Sequence, residues 1–314
     1  MMRPVSDVED RDRTVSTDAA RAARFEEERP RLVGLAYRML GSVSDAQDVV
    51  QDAWLRLERT DLASIDSPAA WLTTVVTRLA LDQLRRQHRQ REDYVGPWLP
   101  EPVLADAEAT AMPDPARQAE LADSLTTAFL LLLEELSPTE RAVVLLADVF
   151  DEPFDSIAEV IGRSPAATRQ LASRARRRLR ERPRQLTTGA ERAGAPAFMA
   201  AGLADGRDAM LAMVVDDIVA VSDGGANVHA ARRPVVGPDR VVRFVANLVQ
   251  RFARFPGLDV GAATVNGRPG IVVHFGGQVV LVASVHVEEG KVVRVESILN
   301  PDKLARVDGH VHMI

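Results

Sequence analysis

The chain has 314 residues, 39 basic and 45 acidic, with 46% hydrophobic residues and no cysteine. That much apolar content excludes an intrinsically disordered chain, and the length accommodates two or three domains. The lack of cysteine excludes disulfides and thiolate chemistry. The start, "MMRPVSDVEDRDR", has no apolar core of a signal peptide, and no apolar run reaches the roughly 18 residues that would suggest a membrane span. A soluble cytoplasmic protein without membrane contact is expected.

In chain order, residues 1–24 are polar and are expected to be a disordered segment. Residues 25–92 have helical periodicity throughout. "RLVGLAYRMLG" puts Leu32, Leu35, Ala36, Met39 and Leu40 on one face and stops at Gly41. "SDAQDVVQDAWLRLER" is expected to start with Ser44 as N-cap and to bury Val49, Val50, Ala53, Trp54 and Leu57. "SPAAWLTTVVTRLALDQLRRQHRQRE" has Ser67 as N-cap and Pro68 in the first helical position. Residues 93–116 contain five prolines and form a linker. A second helical block covers residues 117–186. From 195 to 314, β-branched runs alternate with glycine turns, as in "IVVHFGG" and "QVVLVASVHVEEGKVVRVESIL", so an α+β domain with a curved antiparallel sheet is expected.

Charge marks one place in this series. Residues 92–161 carry 2 basic and 16 acidic residues, whereas residues 162–192 carry 10 basic and 2 acidic. A charge run by itself is most often a solvated face. Here its setting says more. "SPTERAVVLLADVF" opens on a capping box, Ser137 with Glu140, and Pro138 at the first helical position. A short helix over Phe154–Ile161 then stops at Gly162, and Ser164 with Pro165 starts another. Two helices joined by a short glycine-containing turn make a helix-turn-helix, whose second helix enters the major groove. Ala167, Leu171, Ala175 and Leu179 face inward on that helix. Ser164, Thr168, Arg169, Ser173, Arg174, Arg176 and Arg177 are left to read bases and neutralise phosphates.

Taken together, these motifs resemble a bacterial sigma factor of the extracytoplasmic-function type. "RLVGLAYRMLGSVSDAQDVVQDAWLRL" is similar to regions 2.1 and 2.2, and "SPAAWLTTVVTRLALDQLRRQ" to regions 2.3 and 2.4. The stretch from "LSPTERAVV" to "RARRRLRE" is similar to regions 4.1 and 4.2. "YVGPWLPEP", "SDGG" at 222–225, "VNG" at 265–267 and "NPDKL" at 300–304 resemble the subgroup with a fused C-terminal SnoaL-like domain, of the cone-shaped nuclear-transport-factor-2 type. The subgroup's glycine motif usually runs on to a lysine, which "DGGANVHA" lacks.

The resemblance implies two all-α sigma domains, a helix-turn-helix in the second, and a C-terminal α+β domain. It implies core RNA polymerase (the β′ clamp helices and the β flap) and promoter DNA as partners, with no cofactor, no metal and no catalysis. Asp45, Asp48, Gln51, Asp52 and Trp54 match the polymerase-contacting positions. Ser64, Ser67, Thr74, Thr77, Arg78, Arg85 and Arg86 match the part that opens and binds the −10 element, where unstacked bases need a pocket and a cationic track. The recognition helix would bind the −35 element. Trp98, Leu99, Pro100, Glu101 and Pro102 are expected to be held by the C-terminal domain, together with Asp223, Gly224, Gly225, Asn300, Pro301, Asp302, Lys303 and Leu304. Trp98 lies in a stretch with no local core to bury it. The competing expectation is a SnoaL-type enzyme or ligand sensor with a helical targeting part. Its acid–base candidates would be His229, Asp259, His274 and His286, none in a diagnostic spacing. "HVH" at 310–312 could hold a metal, but it lies at a chain end.

Overall fold

The computed structural model describes residues 6–61, 64–91, 94–105, 126–180, 194–204, 206–305 and 307. The first block is three helices: α1 (Ser6–Leu40), α2 (Val43–Glu58) and α3 (Pro68–Arg91). Helix α1 starts at Ser6, so the disordered segment expected over residues 1–24 is replaced by helix from that point on. Ala, Arg and Glu, frequent from Ala19 to Arg31, are strong helix formers. Once packing fixes the turns at Phe25 and Leu32, helix propagates from them.

Gly41, with φ +68°, reverses the chain between α1 and α2. The N-cap of α2 is Ser42 rather than the expected Ser44, and its hydroxyl accepts from the Asp45 amide at 3.2 Å. The tight turn leaves Ser42 as the last residue with extended backbone, which is where a cap must sit.

The second block comprises α4 (Thr127–Glu134), α5 (Pro138–Asp148), α6 (Phe154–Ile161) and α7 (Pro165–Arg180). Ser137 and Glu140 cap each other's backbone at the start of α5. The two blocks share one core. Leu32, Leu35, Met39 and Val76 belong to the same apolar cluster as Val143, Leu145, Ile157 and Leu171. Arg141 crosses the seam, fully buried. It donates to the carbonyl oxygens of Met39 at 2.7 Å and Leu133 at 3.0 Å and pairs with Glu134 at 2.8 Å. Burial lowers its pKa to about 9, so it stays charged at neutral pH.

The C-terminal domain has helices α8 (Gly194–Leu203), α9 (Arg207–Ala212) and α10 (Pro238–Ala253) and the terminal turn α11 (Pro301–Leu304). Its strands are β2 (Val214–Asp223), β3 (Val235–Val236), β4 (Leu258–Val265), β5 (Arg268–Phe275), β6 (Gln278–Glu288) and β7 (Lys291–Ile298). A further strand comes from the linker: β1 (Leu104–Ala105) pairs with Val265 and Thr264 at the sheet edge. The order is β1-β4-β5-β6-β7-β2-β3. The sheet is mixed rather than wholly antiparallel, because β2 and β7 run parallel. Helix α10 carries the chain across from the β2–β3 side to β4, and three hairpins bring it back beside β2.

One sheet face packs on α8, α9 and α10 through Phe198, Met210, Val241, Val245, Val285 and Val295. The other face, with Val221, Val265, Val282 and Ile298, receives Leu99 of the linker and Leu131 of α4. The C-terminal domain therefore packs against both the linker and the second helical block.

Candidate functional site: two helical faces and a linker junction

Helix α2 buries Val49, Val50, Ala53 and Leu57 and presents Asp48, Gln51, Asp52 and the 40% exposed Leu55 to solvent. Asp45 turns the other way and accepts from Gln83 at 3.3 Å and Gln87 at 2.6 Å of α3. It is a brace between helices rather than part of the open acidic face. Trp54 is half-buried, its ring 4.9 Å from that of Phe25.

On α3, Arg85 and Arg86 are exposed and held by Asp82 and Gln83 one turn back. Thr74 is half-buried and donates to the Ala70 carbonyl. Ser67 accepts from the Ala70 amide at the helix start, and Ser64, in the preceding turn, donates to the Asp61 carbonyl. Thr77 departs from expectation: it is 0% exposed. It shares a stripe with Thr73, Leu81 and Leu84, all buried, at helical spacing. Arg78, the next residue, is exposed and reaches α6, donating to the carbonyl oxygens of Glu159 at 3.0 Å and Val160 at 3.3 Å.

The helix-turn-helix is α6 and α7. Gly162 closes α6 in the left-handed conformation, and the Ser164 hydroxyl accepts from the Ala167 amide to open α7. Ser173, Arg174 and Arg177 are exposed. Arg169 is exposed too, 3.7 Å from Asp155 and stacked over Phe154. Arg176 grips the Asp148 carboxylate with Nε at 3.0 and 3.1 Å. Thr168 is the second departure: it is fully buried with Leu171, Ala172 and Ala175, and its hydroxyl donates to the Ser164 carbonyl at 3.0 Å. The buried face is rotated slightly from the one expected, because a threonine can satisfy its hydroxyl within its own helix.

The linker is held from both sides. The buried carboxylate of Asp223 accepts from Tyr94 Oη at 2.6 Å, the Leu99 amide at 2.8 Å, the Gly225 amide at 3.1 Å and Lys303 Nζ at 2.7 Å. Lys303 also donates to the Leu99 carbonyl, and its ammonium lies 4.4 Å from the Trp98 ring centre and 5.1 Å from that of Tyr94. Asn300 caps α11 and donates to Tyr94 Oη at 2.9 Å. A Cβ on Gly225 would stand 2.7 Å from the Asn300 amide nitrogen, so this position has no room for a side chain. That explains the glycine independently of the lysine that "DGGANVHA" lacks. Pro301 and Asp302 are exposed, whereas Gly224 and Leu304 are buried.

On the other side, Trp98 stacks on the α1–α2 turn, where a Cβ on Gly41 would fall 2.5 Å from its ring. Leu99, Pro100 and Pro102 are buried. The Glu101 carboxylate reaches the start of α2, and its carbonyl accepts from Tyr37 Oη at 2.7 Å. Asn266 joins both sides: it donates to Tyr37 Oη at 2.7 Å and exchanges hydrogen bonds with the Val103 backbone. Tyr37, Tyr94 and Asn266 were not among the contacts expected from sequence. Asn266 falls within the "VNG" motif and Tyr94 opens "YVGPWLPEP", which were the available signals.

The sequence matches Sigma-70 region 2 over residues 24–90 and Sigma-70 region 4 over residues 126–179. It is similar to the ECF RNA polymerase sigma factor SigJ of Mycobacterium tuberculosis, 39% identical over 90% of this chain and 92% of that protein. The chain belongs to the extracytoplasmic-function sigma factors. SigI of the same species is 30% identical over 90% of this chain and 94% of its own. The crystal structure of SigJ matches with a TM-score of 0.71 at 38% identity, covering 90% of this chain and 98% of that one. This sigma factor binds core RNA polymerase and directs promoter-specific initiation, and it carries a C-terminal α+β extension.

The acid–base candidates of that extension do not gather in one place. His229 and Asp259 are exposed. Asp259 faces His274 across the β4–β5 ladder. His286 is buried on β6 with its Nε2 2.9 Å from Glu296, a residue not singled out from sequence. Among the described residues there is no cluster of three or more His, Cys, Asp or Glu suited to a metal, and no helix long and apolar enough to cross a membrane. The "HVH" at 310–312 lies outside the described residues.

Proposed function

We propose that the sigma factor divides its work among the faces described above, performs no chemistry of its own and acts in the cytoplasm. Asp48, Gln51 and Asp52 dock on the β′ clamp helices of core polymerase, with Asp45 setting the angle of α2 on α3. The second helical block sits at the β flap. Arg85, Arg86, Thr74 and the loop around Ser64 and Ser67 follow the melted −10 strand. Arg78 joins them once it leaves the α6 carbonyls, so −10 engagement separates α3 from α6. Arg169, Ser173, Arg174 and Arg177 contact the −35 element. The junction of Trp98–Pro102 with Asp223–Gly225 and Asn300–Leu304 lets the C-terminal domain regulate how the two DNA-binding modules are disposed.

The observation that carries this reading is the capped helix-turn-helix with an exposed arginine face, following a helical block whose acidic face is open to solvent. Base-edge contact by Arg174 predicts that Arg174→Ala weakens holoenzyme binding to a −35 duplex by roughly 1–3 kcal/mol. A binding titration on that duplex and on an unrelated one distinguishes the outcomes. A loss confined to the −35 duplex supports base readout, and unchanged affinity on both removes Arg174 from the interface.

A further inference from the structure

The Glu101 carboxylate belongs to the linker, but its hydrogen bonds are made at the start of α2. One oxygen accepts from the Val43 amide at 2.7 Å and the Ser44 amide at 3.2 Å. The other accepts from the hydroxyls of Ser42 at 2.9 Å and Ser44 at 3.1 Å. The first amides of a helix have no partner within it, and the dipole there favours negative charge. Ser42 serves the Asp45 amide, and Glu101 serves the two before it.

The backbone that carries Glu101 is fixed by the C-terminal domain on either side. Two residues before it, Leu99 is held by Asp223 and Lys303. Two residues after it, Val103 is held by Asn266. Buried prolines at 100 and 102 restrict the chain between these anchors. Glu101's own backbone bonds to the first helical block, its amide donating to the Gly41 carbonyl at 2.8 Å and its carbonyl accepting from Tyr37 Oη at 2.7 Å, so the C-terminal domain fixes the chain on either side of a cap that sits on another domain.

We propose that Glu101 is a positioning residue for polymerase binding: the C-terminal domain holds the linker so that this carboxylate caps the helix carrying Asp48, Gln51 and Asp52. The proposal rests on the reading of α2 as the polymerase face. Release of the linker from Asp223, Lys303 and Asn266 withdraws the cap, and the first turn of α2 opens. The C-terminal domain thereby acts on polymerase affinity without touching the polymerase.

The test is amide hydrogen exchange on the full chain, read at Val43 and Ser44 with Val50 and Leu57 as controls within the same helix, alongside titration of core polymerase. Glu101→Ala speeds exchange at Val43 and Ser44 by about fivefold, the size of a lost cap, and weakens polymerase binding by a similar factor. The controls stay protected. Glu101→Gln, which keeps an oxygen acceptor, falls between this variant and the unsubstituted chain. Lys303→Ala, which touches no atom of α2, speeds the same two amides. Unchanged protection in Lys303→Ala overturns the coupling, and unchanged polymerase affinity in Glu101→Ala overturns the positioning role. If Asp48→Arg with Asp52→Arg leaves polymerase binding intact, the reading of α2 fails and the proposal falls with it, whatever the exchange rates show.

Discussion

Asp223 is a carboxylate with no solvent exposure, and its acceptors are filled from the linker, its own loop and α11. A buried charge in that position is tolerable only while its partners remain. Removing one partner of a buried ion pair typically costs about 3–5 kcal/mol, because the other charge stays behind unpaired. Lys303→Ala is therefore expected to lower the stability of the C-terminal domain by that order in urea denaturation. Lys303→Met, with the Asp223→Asn change added, should recover part of it by removing both charges. A loss well under 1 kcal/mol for Lys303→Ala would mean that water replaces the ammonium at no cost. Single residues also show the limit of a sequence reading. Thr77 and Thr168 are polar and sit among plausible DNA-facing positions, but both are buried, and nothing in their own chemistry distinguishes a threonine facing solvent from one in a core stripe. Trp98 was legible for the opposite reason: a tryptophan among prolines needs a surface from elsewhere to cover it.

At the scale of elements, helix starts and stops were the most legible part. Ser137, Glu140, Gly162 and Ser164 stand where their local chemistry puts them. The two-residue turn at Gly41 was less so, since Ser42 and Ser44 are equally good caps until the geometry chooses one. Strand β1 was hidden because it is two residues long and depends on β4 for its existence. The β6–β7 hairpin yields a prediction in pH. Burial alone would raise the pKa of Glu296, but His286 and Arg294, close on its two oxygens, overcome this and hold it at about 2, against an ordinary 4.5. A carboxyl with a depressed folded pKa contributes stability that is complete above its unfolded value and is lost as pH falls towards the folded one. The C-terminal domain should thus lose this contribution between pH 4.5 and about 2. Acid titration followed by circular dichroism would show a shallower loss over that window in Glu296→Gln, which should also be less stable at neutral pH. Parallel titration curves for the two chains would assign the acid sensitivity to other groups.

At the scale of the whole molecule, the two sigma regions do not hang apart on a linker. They share a core, Arg141 is buried across their seam, and Arg78 of region 2 is bonded to the first helix of the helix-turn-helix. The C-terminal sheet takes one strand from the linker and packs against Leu131 of region 4. The packing of the two sigma regions on each other, and of the sheet on Leu131, was not legible in the chain, because contacts between blocks depend on which apolar faces meet. Each face, read alone, only announces that it needs cover. The acidic excess of residues 92–161 takes on meaning here. Asp148, Asp155 and Glu140 pair with Arg176, Arg169 and Arg178 of α7, while Ser173, Arg174 and Arg177 remain exposed. Run-off transcription with purified core polymerase, on a template carrying a −35 and a −10 element, tests the account most directly. The full chain should yield one transcript from a fixed start downstream of the −10 element, and the Asp48→Arg, Asp52→Arg chain should yield little or none at equal concentration. A full-length transcript from the charge-reversed chain, or none from the unsubstituted chain on any template selected by its own helix-turn-helix, would contradict it.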